Sequence, residues 1–404
     1  MRLVQPCLSI GFLSLLLGGC AAEPAVKSPS AALDLGPAPD VSRSGSDASP
    51  GRDAPGNGDR SMDGPSADAS PIDALPPPSG TLVLHDHERI TSRGGDPNFQ
   101  NLRSTFDFGP GPFEHVSILI DLDTTCFPFE GWADDPPPEG QRWPPSCDAF
   151  DRNFELVLDD PLAEGDPPGF EVMRAITPFG GPSHHEIDVT DLLNAHPGSH
   201  RLRTHITTWS DGAGQVSGTD GGWFVTLKAV VTPGTPPRRV LAAVPLIDAY
   251  IGADFEVPDL WFDVPGGTVS TRIEYRVTGH GGAQDPSRDC IGPAEEFCRR
   301  VHRTFVDNRP LMELLPWRDD CADFCTLADL PNGQGQYCKQ NPTGSIRSVR
   351  AARANWCPGA LTEPFVLVSD ALLVEGRHRF AFEIAGLFPG GGWRTSATFY
   401  AYGD

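Results

Sequence analysis

Short apolar or alternating runs, each closed by Gly, Pro, Asp or Asn, follow one another from Thr81 to the end of the chain. Period-two alternation between turn residues is typical of antiparallel β-structure. No long segment keeps a helical period, and the 44 Gly and 42 Pro are more turn formers than a helical protein tolerates. The chain is therefore predicted to be all-β, built as sandwiches or jelly rolls. The predicted strands include residues 116–120, 154–158, 223–231, 272–277, 299–305, 378–384 and 395–402.

A Pro- and Gly-rich break at residues 232–237 divides this part of the chain. It separates a first β unit, residues 80–234, from a second, residues 235–404. We expect each unit to be a jelly roll of about eight strands. A cleft where two such units meet is a natural binding site.

The N-terminal residues 1–19 have the features of a leader. A positive start at Arg2 precedes a short apolar core, residues 10–17, which is too short to span a bilayer. The Leu-Gly-Gly-Cys sequence that ends at Cys20 resembles a bacterial lipobox. That resemblance implies a protein anchored to the bacterial cell envelope by lipid on Cys20. An ordinary secretory signal with a chance cysteine is the alternative.

Residues 20–79 are rich in Pro, Ala, Ser, Gly and Asp and almost free of aromatic side chains. Such a segment buries too little apolar area to offset the entropy of ordering, so we predict a disordered linker.

The net charge of −23 argues against nucleic acid as a partner, because phosphates would be repelled.

The spacing of the ten cysteines indicates an oxidising compartment, and eight of them lie in the two predicted β units. Their spacing in near neighbours suggests local disulfides, although sequence alone leaves other connectivities open. No Cys-x-x-Cys pair occurs, so we do not expect a zinc site. The predicted pairs are Cys126 with Cys147, Cys290 with Cys298, Cys321 with Cys325, and Cys338 with Cys357.

Two stretches place an arginine within a few residues of a cysteine: Cys-Asp-Ala-Phe-Asp-Arg at 147–152 and Arg-Ala-Asn-Trp-Cys-Pro-Gly at 353–359. A disulfide is a stiff frame, and a fixed cation sets the pKa and orientation of a neighbouring carboxylate. Amide hydrolysis needs a base and cations that stabilise an oxyanion, roles that suit Asp151 with Arg152 or Arg353. The alternative is an ordinary surface ion pair between Asp151 and Arg152.

From about Thr81 onward the sequence resembles the peptide:N-glycosidase F amidases, secreted bacterial enzymes of two jelly rolls that release N-linked glycans from asparagine. The resemblance implies a monomeric hydrolase without cofactor or metal that acts on N-glycosylated proteins. The matching stretches, in chain order, are residues 147–152, 176–179, 186–191, 208–209, 243–245, 296–298 with His302, 341–342 and 353–359.

The family's functional residues carry over in part. The resemblance implies that Asp151 is the primary catalytic aspartate and Glu296 a second essential acid. It implies substrate-binding roles for Arg152, Arg353, Trp356 and Trp209, and Trp132 and Trp143 offer further aromatic faces for sugar rings.

The departures from the family concern the same cleft. Thr207 stands where the family has a glutamate, and His280 stands near where it has a cleft tryptophan. Phe150 and Phe297 replace tryptophans beside the two acids. These changes keep a second interpretation open: a catalytically impaired lipoprotein of the same fold that binds glycans or another protein.

A third interpretation comes from the fold, which the family shares with copper-dependent peptidylglycine hydroxylating monooxygenases. The i, i+2 spacing of His85 and His87 predicts two rings on one strand face, and His184 and His185 form a second pair. Neither methionine of the folded part lies in a His-rich run, so we expect ordinary histidines.

Overall fold

The computed structural model of the protein describes residues 79–159, 168–281, 290–333 and 335–404, all within one compact unit, residues 69–404. The predictions for the leader, for Cys20 and for the linker up to residue 78 lie outside the described residues. Over the ranges just given, no helix is long and apolar enough to cross a membrane.

The described chain is made of β-strands joined by loops and a few single helical turns, as the alternation predicted. Strands in the first half are β1 (Gly80–Thr91), β2 (Asn101–Asp107), β3 (Phe113–Asp123), β4 (Asn153–Asp159), β5 (Phe170–Ile176), β6 (Ser183–Asp188), β7 (Ser199–Ile206) and β8 (Gly222–Pro233). Strands in the second half are β9 (Arg239–Gly252), β10 (Leu260–Val264), β11 (Ser270–Gly281), β12 (His302–Val306), β13 (Arg309–Leu314), β14 (Leu327–Asp329), β15 (Gln336–Cys338), β16 (Phe365–Leu367), β17 (Gly376–Ile384) and β18 (Gly391–Gly403). The α-helices are short: α1 (Thr190–Ala195) and α2 (Ile346–Val349).

Strands β1 to β8 form two four-stranded antiparallel sheets, in the orders β1-β8-β3-β6 and β2-β7-β4-β5. Alternate residues of β8 point into the core: Trp223, Val225, Leu227 and Ala229 are all fully buried. They join one apolar cluster with buried residues of the second sheet such as Leu156. The alternation therefore determines which face of each sheet packs against the other sheet.

Strands β9 to β18 form a second pair of sheets, β16-β11-β18-β9 and β10-β17-β12-β13, with a separate β14-β15 hairpin. Their apolar cluster includes the buried rings of Tyr275, Phe380 and Phe399. The all-β, double jelly-roll prediction is confirmed. The strand predicted over 299–305 begins only at His302, because the preceding Arg300 turns aside to pair with Glu295.

Buried charges join the two sandwiches. Arg174 of β5 is wholly buried, forms an ion pair with Glu171 and donates to the carbonyl oxygen of Arg394 in β18 at 2.6 Å. Arg394 in turn makes a two-pronged ion pair with Glu155 of β4, with Nε–Oε1 and Nη2–Oε2 distances of 2.8 Å. Buried charges are tolerated only when paired and hydrogen-bonded, so this network fixes β4 and β5 against β18.

The described residues form four disulfides, of which Cys126–Cys147 and Cys290–Cys298 are as predicted. The predicted pairs Cys321–Cys325 and Cys338–Cys357 are wrong. Cys321 bonds to Cys357, and Cys325 bonds to Cys338.

The register of the short hairpin explains the exchange. Leu327 of β14 lies opposite Cys338 of β15, which brings Cys338 beside Cys325. Mutual backbone hydrogen bonds between Arg318 and Arg353, each 2.9 Å, hold the segment before Cys321 against the loop that ends at Cys357. Near neighbours in sequence therefore belong to two separate cross-links.

Candidate functional site

The loop from Cys147 to Arg152 carries the first acid. It is tied down by the Cys126–Cys147 disulfide and by Asp148, which is fully buried and accepts from the backbone N–H of Phe150 at 3.3 Å. The backbone N–H of Arg152 donates to the Thr177 hydroxyl at 2.9 Å. Asp151 is therefore presented from a braced turn immediately before β4, with 18 % of its side chain exposed.

The small loop closed by Cys290–Cys298 carries the second acid. Its single helical turn, Glu295–Phe297, holds two glutamates with opposite surroundings. Glu295 is fully buried between Arg300, at 2.6 Å, and the Trp393 indole, at 3.1 Å. Glu296 keeps 26 % of its side chain exposed. Glu295 thus anchors the loop, and Glu296 is the acid that the loop presents.

The loop that contains Arg353 lies against both the acid loop and β11. Ala354 donates its N–H to the carbonyl oxygen of Glu296 at 2.8 Å, and Asn355 adopts a left-handed φ of 66°, which Asn tolerates better than most residues. A Cβ at Gly279 would come within 2.7 Å of the Ala354 side chain. Glycine at that position of β11 therefore permits the close approach.

Arg353 brings the two acids together. Its guanidinium, only 1 % exposed, donates from Nη1 to Glu296 Oε1 at 3.1 Å and lies 4.0 Å, Nη2 to Oδ2, from Asp151. Nη2 also donates to the carbonyl oxygen of Ser348 at 2.8 Å. The ring of Phe297 lies 4.9 Å from the guanidinium carbon. One fixed cation therefore has a carboxylate from each sandwich beside it.

Burial dominates the electrostatics of both acids. Burial raises the pKa of Glu296, Arg353 opposes the rise and the charge of Asp151 adds to it, so that the pKa of Glu296 is about 7. Burial also raises the pKa of Asp151, against the lowering effects of Arg353 and Arg152. A carboxyl group with a pKa near neutrality can both give and take a proton near pH 7.

Trp356 and His280 form a stack behind Arg353. The Trp356 ring is 2 % exposed, lies 4.4 Å from the Arg353 guanidinium carbon, and stacks on His280 at 5.4 Å. Its indole N–H donates to the carbonyl oxygen of Gly279 at 2.8 Å. Burial and the nearby Arg174 and Arg353 lower the pKa of His280 to about 3, so its ring is neutral near pH 7. This arrangement leaves little of the Trp356 ring exposed for contact with a sugar. The stacked rings instead pack behind the Arg353 guanidinium and help to hold it in place.

Trp209 lies on the other side, with Arg152. Its ring is 5.8 Å from Phe150 and 5.8 Å from the Arg152 guanidinium carbon, and it is partly exposed. Trp132 and Trp143, of the long loop closed by Cys126–Cys147, pack edge to face at 5.7 Å. Of the predicted aromatic residues, Trp209 is the one that the described contacts join to Arg152.

Thr207 lines a cavity of about 360 Å³ next to the Asp151 loop, where its hydroxyl accepts from the N–H of Asn153 at 3.2 Å. The same cavity is lined by Glu155 and Arg394. Glu155 is 2 % exposed and committed to Arg394, which holds its pKa well below the usual range. The carboxylate in this cavity is thus fully engaged and does not replace an acid at Thr207.

Sequence reasoning missed Asp148 and Ser348, and with Asp148 it missed the ion-pair partner of Arg152. Arg152 forms its ion pair with Asp148, through Nε to Oδ2 at 2.9 Å and Nη2 to Oδ1 at 2.8 Å. The signal was present in the sequence, since an acid four residues before an arginine beside a cysteine is a candidate partner. The alternative interpretation, a surface ion pair between Asp151 and Arg152, is therefore not what the structure contains.

The histidine prediction also needs correction. His85 is 2 % exposed whereas the side chain of His87 is 58 % exposed, because the register of β1 shifts between His85 and Glu88 and His87 has a φ of 52°. The two rings lie on opposite faces, as do those of His184 and His185.

A metal-like group of side chains does occur elsewhere. Within the described ranges, Asp320, Cys321 and Cys357 form the one compact group of ligand-type side chains, and its two sulfurs are joined in a disulfide. Disulfide sulfurs are not the thiolates that bind metal.

Comparison with known proteins agrees with this architecture. Residues 253–400 match the family model described as Peptide-N-glycosidase F, C terminal. That range contains Glu296, Arg353, Trp356 and His280, whereas Asp151 lies before it. No curated protein matches the sequence significantly.

Several solved structures share the fold over 80 % of this chain. PNGase F, a glycosylasparaginase from Flavobacterium meningosepticum, aligns over 96 % of its own chain with a TM-score of 0.56 and 19 % identity. A peptide-N(4)-(N-acetyl-beta-D-glucosaminyl)asparagine amidase aligns over 96 % of its chain with a TM-score of 0.57 and 18 % identity. PNGF-II aligns over 65 % of its chain with a TM-score of 0.58 and 16 % identity.

The fold and site define a protein of two jelly rolls with a carboxylate from each beside one buried arginine. The fold that the family resemblance implied is confirmed: residues 253–400 match the peptide-N-glycosidase F C-terminal model, and the described chain has the peptide-N-glycosidase F fold.

Proposed function

We propose that the protein hydrolyses the amide bond between an N-linked glycan and asparagine. The observation that carries the proposal is Arg353, which lies 3.1 Å from Glu296 and 4.0 Å from Asp151. Two acids with raised pKa values around a fixed cation provide a proton acceptor, a proton donor and a charge stabiliser in one place.

In the proposed mechanism, Asp151 takes a proton from water as the water attacks the side-chain carbonyl carbon of glycosylated asparagine. Arg353 and Arg152 stabilise the negative charge that develops on the carbonyl oxygen. Glu296, whose pKa is about 7, gives a proton to the amide nitrogen as the carbon–nitrogen bond breaks. The products are aspartate in the peptide and a glycosylamine.

A binding protein of the same fold is the second candidate. The observation in its favour is Thr207, which has no carboxylate, in a cavity where Glu155 is already paired with Arg394. A threonine neither holds a charge nor accepts a proton as a carboxylate does. We therefore expect glycan release that is slower or more selective than a site with a third acid would give.

Release of glycans from a denatured glycoprotein, with EDTA present, tests the proposal. We expect Asp151→Asn and Glu296→Gln each to slow release by about two to four orders of magnitude, because each removes an acid–base group. Asp307→Asn is the matched control: Asp307 is also a partly exposed acid, paired with His378 at 2.7 Å, but lies outside this site. Glycan binding without release by the wild-type protein would favour the binding protein instead.

We further propose that the protein is exported and held to the bacterial cell envelope by lipid on Cys20. Support comes from the lipobox-like sequence that ends at Cys20 and from the four disulfides of the described part, which suit an oxidising compartment. Partition of the native protein between detergent and water tests the anchor.

A further inference from the structure

Asp148 is a buried acid to which the proposed mechanism gives no role. It is 0 % exposed, and both of its carboxylate oxygens are occupied. They accept from Arg152 Nε at 2.9 Å and Nη2 at 2.8 Å, and from the backbone N–H of Trp209 at 3.0 Å. One carboxylate therefore holds two residues that the family resemblance assigns to substrate binding.

The pairing leaves one edge of the guanidinium available. A two-pronged pair fixes the plane of the guanidinium as well as its position. Arg152 uses Nε and Nη2 on Asp148, and none of the described residues accepts from its Nη1. With 17 % of its side chain exposed, and with Phe150 and Trp209 at 5.2 and 5.8 Å, Arg152 presents that edge beside aromatic rings.

Asp148 also acts on the neighbouring Asp151. Its negative charge is one of the causes that raise the pKa of Asp151, whereas the cation of Arg152 lowers it. Removal of the Asp148 charge would end this repulsion and shift the pKa of Asp151 downward.

We propose that Asp148 is a positioning residue of the proposed amidase, which holds Arg152 and Trp209 in the orientation that receives the glycosylated asparagine. The proposal rests on the proposed function for the identity of the ligand. Asp148 itself is covered by protein and does not touch the substrate.

Asp148→Asn has nearly the same shape and tests the role directly. An amide has one acceptor oxygen and its nitrogen is itself a donor, so it cannot take all three hydrogen bonds from Arg152 Nε, Arg152 Nη2 and the Trp209 N–H. Either one prong of the Arg152 pair or the bond to Trp209 is lost, which loosens the residue concerned. We expect kcat/KM to fall by about 100-fold, the cost of misplaced substrate-orienting groups. Asp191→Asn is the matched control, since Asp191 is a mostly buried acid paired with Arg238 and Arg272 away from this site.

Two readouts do not depend on turnover. The first is the affinity for a peptide with an N,N'-diacetylchitobiosyl-asparagine, measured in an Asp151→Asn background, which Asp148→Asn should weaken by at least about tenfold. The second is the titration of the Asp151 carboxyl carbon by NMR, which Asp148→Asn should move to lower pH. Asp148→Glu keeps the charge but displaces the carboxylate, so it should weaken binding and leave the Asp151 titration near that of wild type.

These readouts separate the proposed amidase activity from the proposed positioning role of Asp148. If the wild-type protein binds the glycopeptide but releases no glycan, the amidase proposal fails while the binding and titration results still decide the role of Asp148. The positioning role is overturned if folded Asp148→Asn binds and titrates as wild type does. If Asp148→Asn does not fold, wild-type affinity in Asp148→Glu overturns it.

Discussion

The adjacent glutamates Glu295 and Glu296 should respond in opposite directions to the same substitution. Glu296 has a pKa raised from 4.5 to about 7, so the folded protein binds its proton more tightly than the unfolded chain does. Its favourable contribution to folding is fully present below pH 4.5 and is lost as the pH rises towards 7. At about 1.36 kcal/mol per pH unit, the loss amounts to about 3 kcal/mol.

Glu296→Gln resembles the protonated acid, and its amide oxygen can still accept from Arg353. We therefore expect the free energy of unfolding at pH 8 to exceed that of wild type by up to about 3 kcal/mol, with little difference near pH 4.5. Glu295→Gln should instead destabilise the protein by about 3–5 kcal/mol at pH 8, because Arg300 is left buried without its counter-charge.

Urea unfolding of the three proteins at several pH values between 4.5 and 8.5 measures these differences. The reasoning is refuted if the stability of wild type does not fall over this range relative to Glu296→Gln. It is also refuted if Glu296→Gln is the less stable protein at pH 8. Such a result would mean that the Glu296 carboxylate is well solvated or fully compensated by Arg353.

Two other predictions concern Thr207 and the N-terminus. Thr207→Glu should raise the rate of glycan release by at least about tenfold over wild type, because it adds an acid–base group to the cavity beside Asp151, whereas the uncharged Thr207→Gln should not. Equal rates for the two variants would show that a charge at this position is irrelevant. Native protein should partition into detergent and Cys20→Ser into water, and equal recovery of both in water would contradict the lipid anchor.

Much of the fold was predictable because its strands bury one face, so that apolar and polar residues alternate along them. The run over residues 223–231 became β8, with Trp223 and Val225 facing inward as period two requires. The alternation failed at His85 and His87, because a register shift in β1 reverses the face without any Gly or Pro to mark it. Sequence periodicity cannot show a bulge that depends on pairing with β8.

The candidate site was predictable to a similar degree. Asp151 and Arg353 were candidates because each lies within a few residues of a cysteine, and Glu296 was assigned by the family resemblance. The structure brings all three together. The partner of Arg152 was not found, since that contact requires the turn after Cys147 to fold Arg152 back on Asp148.

Two disulfides were paired wrongly for a comparable reason. Their connectivity depends on the register of the β14–β15 hairpin, in which Cys338 lies opposite Leu327. Sequence proximity instead favoured Cys325 as a partner for Cys321. The connectivity of these disulfides therefore depends on strand pairing in the fold, which spacing along the chain does not show.

The central claim is that the paired acids around Arg353 cleave the glycosylated asparagine amide. The most direct test is mass analysis of an N-glycosylated peptide after incubation with the wild-type protein in isotope-labelled water. The proposal predicts that the glycosylation site becomes aspartate carrying one labelled oxygen, and that Asp151→Asn forms this product far more slowly. An unchanged glycopeptide, or release of sugar that leaves an N-acetylglucosamine on asparagine, would contradict it.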